Sequence, residues 1–441
     1  MRKIAVIGTG YVGLVSGTGL ADFGNEVTCL DINQEKIDIL QRGELPIWEP
    51  GLLEMVEKNV DTGRLSFSTD IGAHIREAEI VFIAVGTPSA DDGQADLSAV
   101  FSVAETIAKN LTGKKFIVTK STVPVGTGQR IREIVSEQAE PGSDFEVISN
   151  PEFLREGSAV YDFLHPDRIV VGTETSHGRK VMEEVYRPLY LIETPFVFTN
   201  VETAELIKYA SNAFLATKIT FINEIANICD VVGADVHMVA KTMGLDGRIS
   251  PKFLHPGPGY GGSCFPKDVK ALSAIAKGGN YEAQLIDTVT AVNEAQRMQM
   301  FRKLERLLPD LEGKTVTLLG LAFKQRTDDV RESPALPIIG KLKERGATVR
   351  AFDPVAMESM KKHHPDIDYA DGIYESVEGA DAVMILTEWN EFRGLNLGKI
   401  KEVMNQPVMV DCRNLYDPGT VRKAGFKYAC VGRETYSEKL S

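Results

Sequence analysis

The chain has 441 residues, 43% of them hydrophobic and 25% charged, with a formal net charge of −13. That length suggests two or three ordinary folded domains. The acidic balance excludes broad nucleic-acid binding, which needs a basic surface, but leaves room for an anionic small molecule held by a few local Lys and Arg residues.

Arg2 and Lys3 precede an apolar stretch, as in an export signal, but Gly8, Gly10 and Gly13 interrupt it and Asp22 follows. The stretch therefore reads as strand, turn and helix. No run of about 18 apolar residues occurs elsewhere, so no membrane span is expected. Lys3–Ile7 is predicted as a strand, Val12–Phe23 as a helix stopped by Gly24, and Glu26–Asp31 as the next strand. Ile80–Val85, Phe116–Lys120 and Phe145–Ile148 are further strand candidates, with helical segments between several of them. Strands alternating with helices imply a mostly parallel sheet covered on both faces, over about residues 1–200.

The pattern changes after Asn200. From Thr203 to Val232 there is neither Pro nor Gly, and Leu206, Ala210, Phe214, Ile225 and Ile228 fall at near-helical spacing. One helix of about 30 residues would run about 45 Å. Asp235–Thr242, Val269–Lys277 and Ala283–Leu308 continue a helical section over residues 201–310. Residues 311–441 start a second α/β pattern: strands at Thr315–Leu319, Thr348–Phe352, Ala382–Leu386 and Val408–Val410, with a helix at Pro334–Arg345. Each α/β half has a strand, a Gly-containing turn, a helix and a strand ending at an Asp, Asp31 or Asp353. The expected fold is thus α/β: two doubly wound parallel-sheet domains joined by a helical core with one long helix. Residues near 432–441 are polar and expected to fray.

Gly8-Thr9-Gly10-Tyr11-Val12-Gly13 matches GxGxxG between a predicted strand and a predicted helix. In that context the first glycine permits the turn, the second lets a pyrophosphate approach the backbone, and the third lets helix and strand pack. The helix N-terminus offers free N–H groups and partial positive charge to the phosphates. Asp31, at the end of the second strand, can accept from a ribose 2′-OH and would repel a 2′-phosphate, so NAD is favoured over NADP. The second half has Gly320-Leu321-Ala322-Phe323-Lys324 instead. It is expected to hold a different anion, with Lys324 and Arg331 as contacts, against the rival reading of solvated surface charges.

Phe253 to Asp268 reads FLHPGPGYGGSCFPKD. Its glycines and prolines exclude regular structure, yet Phe253, Leu254, Tyr260 and Phe265 are too apolar for an idle loop. Such a segment suits a ligand that touches the backbone. Cys264 ends it, before a helix expected near Asp268, with Lys267 close by; a helix N-terminus and a cation both favour a thiolate. Cys29, Cys229, Cys412 and Cys430 read instead as small buried residues. Few, widely spaced cysteines with no CxxC pair suit a reducing compartment, and the seven His residues suggest no metal.

Three further groups stand at predicted strand ends or on one helix face. Glu152 and Glu156, beside Arg155, follow the strand Phe145–Ile148 and can supply a base and a substrate contact; a helix cap and solvated turn is the plainer reading. Thr87, in Gly86-Thr87-Pro88, and Ser121-Thr122-Val123-Pro124 can line a cofactor cleft. Lys208 and Asn212 are four residues apart and share a helix face.

Taken together, these segments resemble the UDP-glucose/GDP-mannose dehydrogenase family from Met1 to about Val431. The motifs are GTGYVG (8–13), STVP (121–124), NPEFLREG (150–157), the Lys208/Asn212 helix, GYGGSCFPKD (259–268) and AFKQRTDDVRES (322–333). The resemblance implies a dinucleotide-binding domain, a helical dimerisation core and a C-terminal UDP-binding domain in a cytoplasmic homodimer. It implies Cys264 as nucleophile, with Lys208 and Asp268 assisting the first proton removal. Asn212 is implied as an oxyanion and substrate contact, Glu152 as base for thioester hydrolysis, and Thr122 as holding a water. It implies NAD contacts from Tyr11, Val12, Asp31, Lys36, Glu156, Lys267 and Arg331. The substrate site is implied to comprise Glu152, Phe153, Leu154, Phe253, Leu254, His255, Pro256, Gly257, Gly261 and Lys324, with Arg248 donated across the dimer. Within the family the cysteine loop is similar to the UDP-glucose-oxidising branch, with GDP-mannose and UDP-N-acetylmannosamine as alternatives. A two-electron hydroxyacid dehydrogenase and a non-catalytic nucleotide-sugar sensor are the rival functions.

Overall fold

The computed structural model describes residues 1–90 and 93–433, so the expected fraying near 432–441 falls almost wholly outside the described residues. The chain divides into two compact units, residues 1–211 with 274–281, and residues 212–273 with 282–441.

The first unit is built on eight strands: β1 (Lys3–Ile7), β2 (Glu26–Leu30), β3 (Leu65–Ser68), β4 (Ile80–Ile83), β5 (Lys115–Thr119), β6 (Phe145–Ser149), β7 (Ile169–Gly172) and β8 (Phe196–Thr199). They lie in the order β3-β2-β1-β4-β5-β6-β7-β8. The first six are parallel, while β7 meets β6 antiparallel at the pairing of Ser149 with Gly172. Successive side chains of a strand point to opposite faces. Ile4, Val6, Val27, Cys29, Phe82 and Val118 therefore enter one core, and Ala5, Ile7, Val81, Ile83 and Ile117 the other. Burial on both faces explains why these strands are continuously apolar rather than alternating.

The second unit repeats the plan with β9 (Thr315–Leu319), β10 (Thr348–Phe352), β11 (Asp368–Tyr369), β12 (Ala382–Ile385), β13 (Val408–Asp411) and β14 (Lys427–Cys430). Their order, β11-β10-β9-β12-β13-β14, is all parallel and matches that of the first six strands. Both sheets are thus doubly wound, and each has its crossover point beside its first strand, where loops from the carboxyl ends of neighbouring strands diverge.

The long helix is continuous from Val201 to Val232. Ala204, Tyr209, Ala213, Ala216, Ile222, Ala226 and Cys229 form its buried face. The spacing that marked this helix in the sequence includes residues from its other side: Leu206, Phe214 and Ile228 are exposed, as is Phe221. Among the described residues no helix is long and apolar enough to cross a membrane.

Candidate active site

The turn after β1 shows how each glycine of GTGYVG is used. Gly8 has φ 106°, and a Cβ there would lie 2.6 Å from the Ala84 carbonyl oxygen. A Cβ on Gly13 would fall 1.9 Å from the Gly8 oxygen, so the helix Tyr11–Asp22 can approach the turn only with glycine there. Around Gly10 the space is open, with nothing within 4 Å of a Cβ. Two glycines are required by the protein's own packing and the middle one is not, which is the pattern of a turn shaped to admit pyrophosphate. Asp31 accepts from the Thr9 amide at 2.9 Å and hydroxyl at 2.7 Å, and from the Asn33 amide at 3.0 Å. Lys36 stands 3.6 Å from it. Partial burial works against the charged carboxyl, but these hydrogen bonds and Lys36 outweigh it and hold Asp31 below its ordinary range. The residues present fit an NAD-type dinucleotide.

Sequence reasoning missed Glu49. This buried carboxylate accepts from the Tyr11 hydroxyl and from the Gly157 and Ala159 amides, both at 2.7 Å. It ties the start of the dinucleotide helix to the loop that carries Glu152 and Glu156. Burial and the bond to Glu49 push the Tyr11 phenol far up, so it stays a donor. Thr87 donates to the Thr122 carbonyl at 2.8 Å, joining the loops after β4 and β5. Glu205, also missed, accepts from the Gly126 and Gly128 amides at 2.8 and 2.7 Å and so anchors the end of the STVP loop.

Glu152 and Lys208 form an ion pair at 2.8 Å, with side chains 5% and 4% exposed. Glu152 also accepts from the Leu154 amide at 2.5 Å. Burial alone would raise the Glu152 carboxyl, but Lys208, the Leu154 amide and Lys120 together hold it below its ordinary range. The cap-and-turn reading of Glu152 does not survive this, because a solvated turn residue would not be buried against an ammonium. Phe153 has two cations near its ring: the Arg168 guanidinium is 3.6 Å from the ring centre and the Lys208 ammonium 5.4 Å.

In the second unit Cys264 immediately precedes the helix Phe265–Gly278, which starts three residues earlier than expected. The Cys264 carbonyl accepts from the Asp268 amide at 2.8 Å, so the cysteine caps the helix. None of the five cysteines is in a disulfide; four are buried, and Cys264 alone is partly exposed. Its Sγ lies 3.4 Å from the Ser263 hydroxyl. Asp268 is fully buried and accepts from Asn212 at 2.6 Å and from Lys267 at 2.6 Å. The structure thus brings together Asn212, Lys267 and Asp268, which the sequence suggested separately. Lys267 directs its ammonium to Asp268 rather than standing as an isolated cation.

The glycine-rich loop has a second explanation besides a ligand. A Cβ on Gly261 would lie 2.3 Å from the Glu332 carbonyl, and one on Gly262, at φ 82°, would lie 2.6 Å from the Phe323 ring. The loop therefore packs closely on the AFKQRTDDVRES segment, and the Gly262 amide donates to the Arg331 carbonyl at 2.9 Å. Its other side is held by one face of the helix Gln284–Leu307. Asn293 exchanges two hydrogen bonds with the Tyr260 backbone, Gln296 donates to the Gly257 carbonyl, and Arg297 donates to the Tyr260 and Glu332 carbonyls. These three residues were missed, although their i, i+3, i+4 spacing is a legible signal of one shared face. Leu254 is buried, and Phe253 lies 6.2 Å from the Phe265 ring.

Two predicted contacts turn toward their own neighbours. Arg331 pairs with Asp329 at 2.8 Å, and Arg248, with a side chain 89% exposed, pairs with Asp246 at 2.6 Å. Lys324 lies 5.3 Å from the Phe323 ring centre.

Comparison with known proteins matches this geometry. The chain fits the UDP-glucose/GDP-mannose dehydrogenase family in three parts: the NAD binding domain over residues 2–190, the central domain over 202–295 and the UDP binding domain over 317–418. It is 52% identical to a UDP-glucose 6-dehydrogenase of Rhizobium meliloti (strain 1021), over 98% of this chain and 99% of that one. It is 49% identical to the UDP-glucose 6-dehydrogenase TuaD of Bacillus subtilis (strain 168), over 98% and 94%. A solved UDP-glucose dehydrogenase from Pyrobaculum islandicum superposes with a TM-score of 0.91 at 38% identity, covering 97% of each chain. An open pyrophosphate turn, a carboxylate set for a ribose and one accessible thiol at a helix start agree with these likenesses: the chain belongs to the UDP-glucose/GDP-mannose dehydrogenase family of NAD-dependent oxidoreductases.

Proposed function

We propose that this enzyme oxidises UDP-glucose to UDP-glucuronate, with Cys264 as the covalent carrier. The observation that carries the reading is the partial exposure of Cys264 alone among five thiols, at the start of a helix and beside buried Asn212 and Asp268 with half-buried Lys267. NAD, when bound, takes up the hydride released in each of two oxidations. The first removes a hydride and a proton from the C6 alcohol and leaves an aldehyde. Lys208 and Asp268 assist loss of that proton, and Lys208 with Asn212 stabilises negative charge on the substrate oxygen. The Cys264 thiolate adds to the aldehyde, giving a thiohemiacetal that keeps it bound. Loss of a second hydride and a proton gives a thioester. Water held by Thr122 and activated by Glu152 adds to the acyl carbon, the thiolate leaves, and the carboxylate is released.

The cofactor contacts assigned to this reading are Gly8, Gly10, Tyr11, Val12, Gly13, Asp31, Lys36, Thr87, Thr122, Glu156, Lys267 and Arg331. The sugar nucleotide is assigned to Phe153 and Leu154, the loop from Phe253 to Gly257, Gly261 and Lys324. The domain limits fitting this division of labour are 1–200, 201–310 and 311–441. A homodimer is part of the proposal: Phe214, Phe221 and Ile228, seven residues apart and exposed, make an apolar seam on the long helix that a second copy would cover. Arg248, exposed in the single chain, then serves the partner's substrate site. Five cysteines, none in a disulfide, fit a reducing cytoplasm.

The test is stoichiometry with three nucleotide sugars. UDP-glucose is expected to yield two NADH per sugar and a uronate, and Cys264→Ala to form no uronate while still binding NAD. One NADH per sugar, or near-normal uronate from the alanine variant, refutes the covalent route. Faster turnover of GDP-mannose or UDP-N-acetylmannosamine refutes the substrate.

A further inference from the structure

The ion pair of Glu152 and Lys208 has a third charged neighbour that the mechanism above does not use. Lys120 follows β5 and is 5% exposed. Its ammonium donates to Asn150 Oδ1 at 3.1 Å and to the Tyr186 hydroxyl at 3.2 Å, and sits 5.7 Å from the Tyr186 ring centre. Tyr186 in turn donates to Asn150 Oδ1 at 2.7 Å, and Asn150 donates to the Val170 carbonyl at 2.8 Å. This frame fixes Lys120 through neutral groups.

Three titratable groups face it: Glu152 from the loop after β6, Lys208 from the long helix, and the Tyr186 phenol from the end of the helix Ser176–Val185. Burial lowers the Lys120 ammonium to about 8, with Glu152 opposing the shift and Lys208 adding to it. Burial raises the Tyr186 phenol, which therefore stays neutral. With Tyr186 neutral and the other groups ionised, the buried set holds two ammonium ions and one carboxylate. An excess buried positive charge is unfavourable by itself and is relieved by any anion formed beside it. It favours the carboxylate form of Glu152 and any oxyanion near Lys208.

We propose that Lys120 is a positioning residue that acts through the Glu152–Lys208 pair: held by Asn150 and Tyr186, its positive charge keeps Glu152 ionised, and so able to act as a base, down to lower pH. The inference rests on the reading of Glu152 as the base for thioester hydrolysis.

The test is uronate release in a single turnover of the full-length enzyme with UDP-glucose and NAD, followed from about pH 3 to about pH 9 so that the acid limb of Glu152 falls inside the range. Lys120→Met removes the charge and nearly preserves the shape. Its acid limb is expected to move up by about one pH unit, since loss of a nearby cation raises a carboxyl pKa. Lys120→Arg keeps the charge and is expected to restore the wild-type limb. A purely structural lysine would lower the rate at every pH and leave the limb in place, and that outcome overturns the proposal. If Lys120→Met does not fold, Lys120→Gln decides. It removes the charge while leaving a polar group for Asn150 and Tyr186 and is expected to move the limb the same way, while an unmoved limb overturns the proposal. Glu152→Gln separates the two readings. Wild-type thioester breakdown in that variant refutes Glu152 as the base, whereas stalled breakdown with an unmoved limb in Lys120→Met refutes the role of Lys120 alone.

Discussion

The two sheets share a strand order and a first turn, yet only one turn is shaped for a dinucleotide. After β1, Gly8 has φ 106° and the helix begins at Tyr11; after β9, Gly320 has φ 96° but no helix begins until Ala335. Gly10 faces open space, while Ala322, two residues past Gly320 as Gly10 is past Gly8, is buried. The carboxylates at the second strands differ in the same sense. Asp31 spends its bonds on Thr9 and Asn33 and keeps part of its side chain accessible. Asp353 is fully buried and accepts from the Leu321, Ala322, Val355 and Ala356 amides and from the Trp389 indole. One carboxylate is left able to meet a ribose; the other has become part of the frame. Shared topology does not transmit a binding function unless the turn stays open and the helix starts at once.

Three substitutions probe this contrast. Asp353→Ala is expected to have the largest effect. It strands buried amide and indole donors, and chemical denaturation should show a loss on the order of 3 kcal/mol. Retained stability would mean that the second carboxylate is as dispensable to the fold as the first. Gly10→Val comes next. With open space around the position, melting temperature should hold while calorimetry shows NAD affinity falling by about 100-fold, roughly 2.7 kcal/mol. Unchanged NAD binding would remove the distinction between the two turns. Asp31→Ala should cost least, about 10-fold in NAD affinity or roughly 1.4 kcal/mol, with NADP binding improved relative to NAD. If NADP remains as strongly rejected as before, something other than Asp31 selects the cofactor.

Much of the frame was legible in the chain. β1, β9 and β10 match the expected limits to the residue, because unbroken apolar runs bounded by glycine or charge admit few alternatives. The strands β7 and β8 went unread, and length is not the reason, since β4, β12 and β13 also have four residues each and were found. The long helix was found, but burial assigned its apolar residues to two sides, and periodicity alone does not say which side meets a core. At the site, Cys264 was distinguishable because its signal is local: glycines before it, a lysine after it and a helix start. Glu49, Lys120, Glu205 and Arg297 were not, because their meaning lies in partners far along the chain. Glu49 binds an amide 108 residues away, and nothing near it in sequence announces that bond.

The helix Gln284–Leu307 grips the cysteine loop largely through the loop's carbonyls and amides, with the Tyr260 side chain, bonded to Thr290, adding to that hold. A main-chain grip is indifferent to most substitutions in what it holds. The loop's outward side chains can then drift by mutation while its shape persists, which is a route for an enzyme of this design to acquire a new sugar without rebuilding the place where its thiol stands.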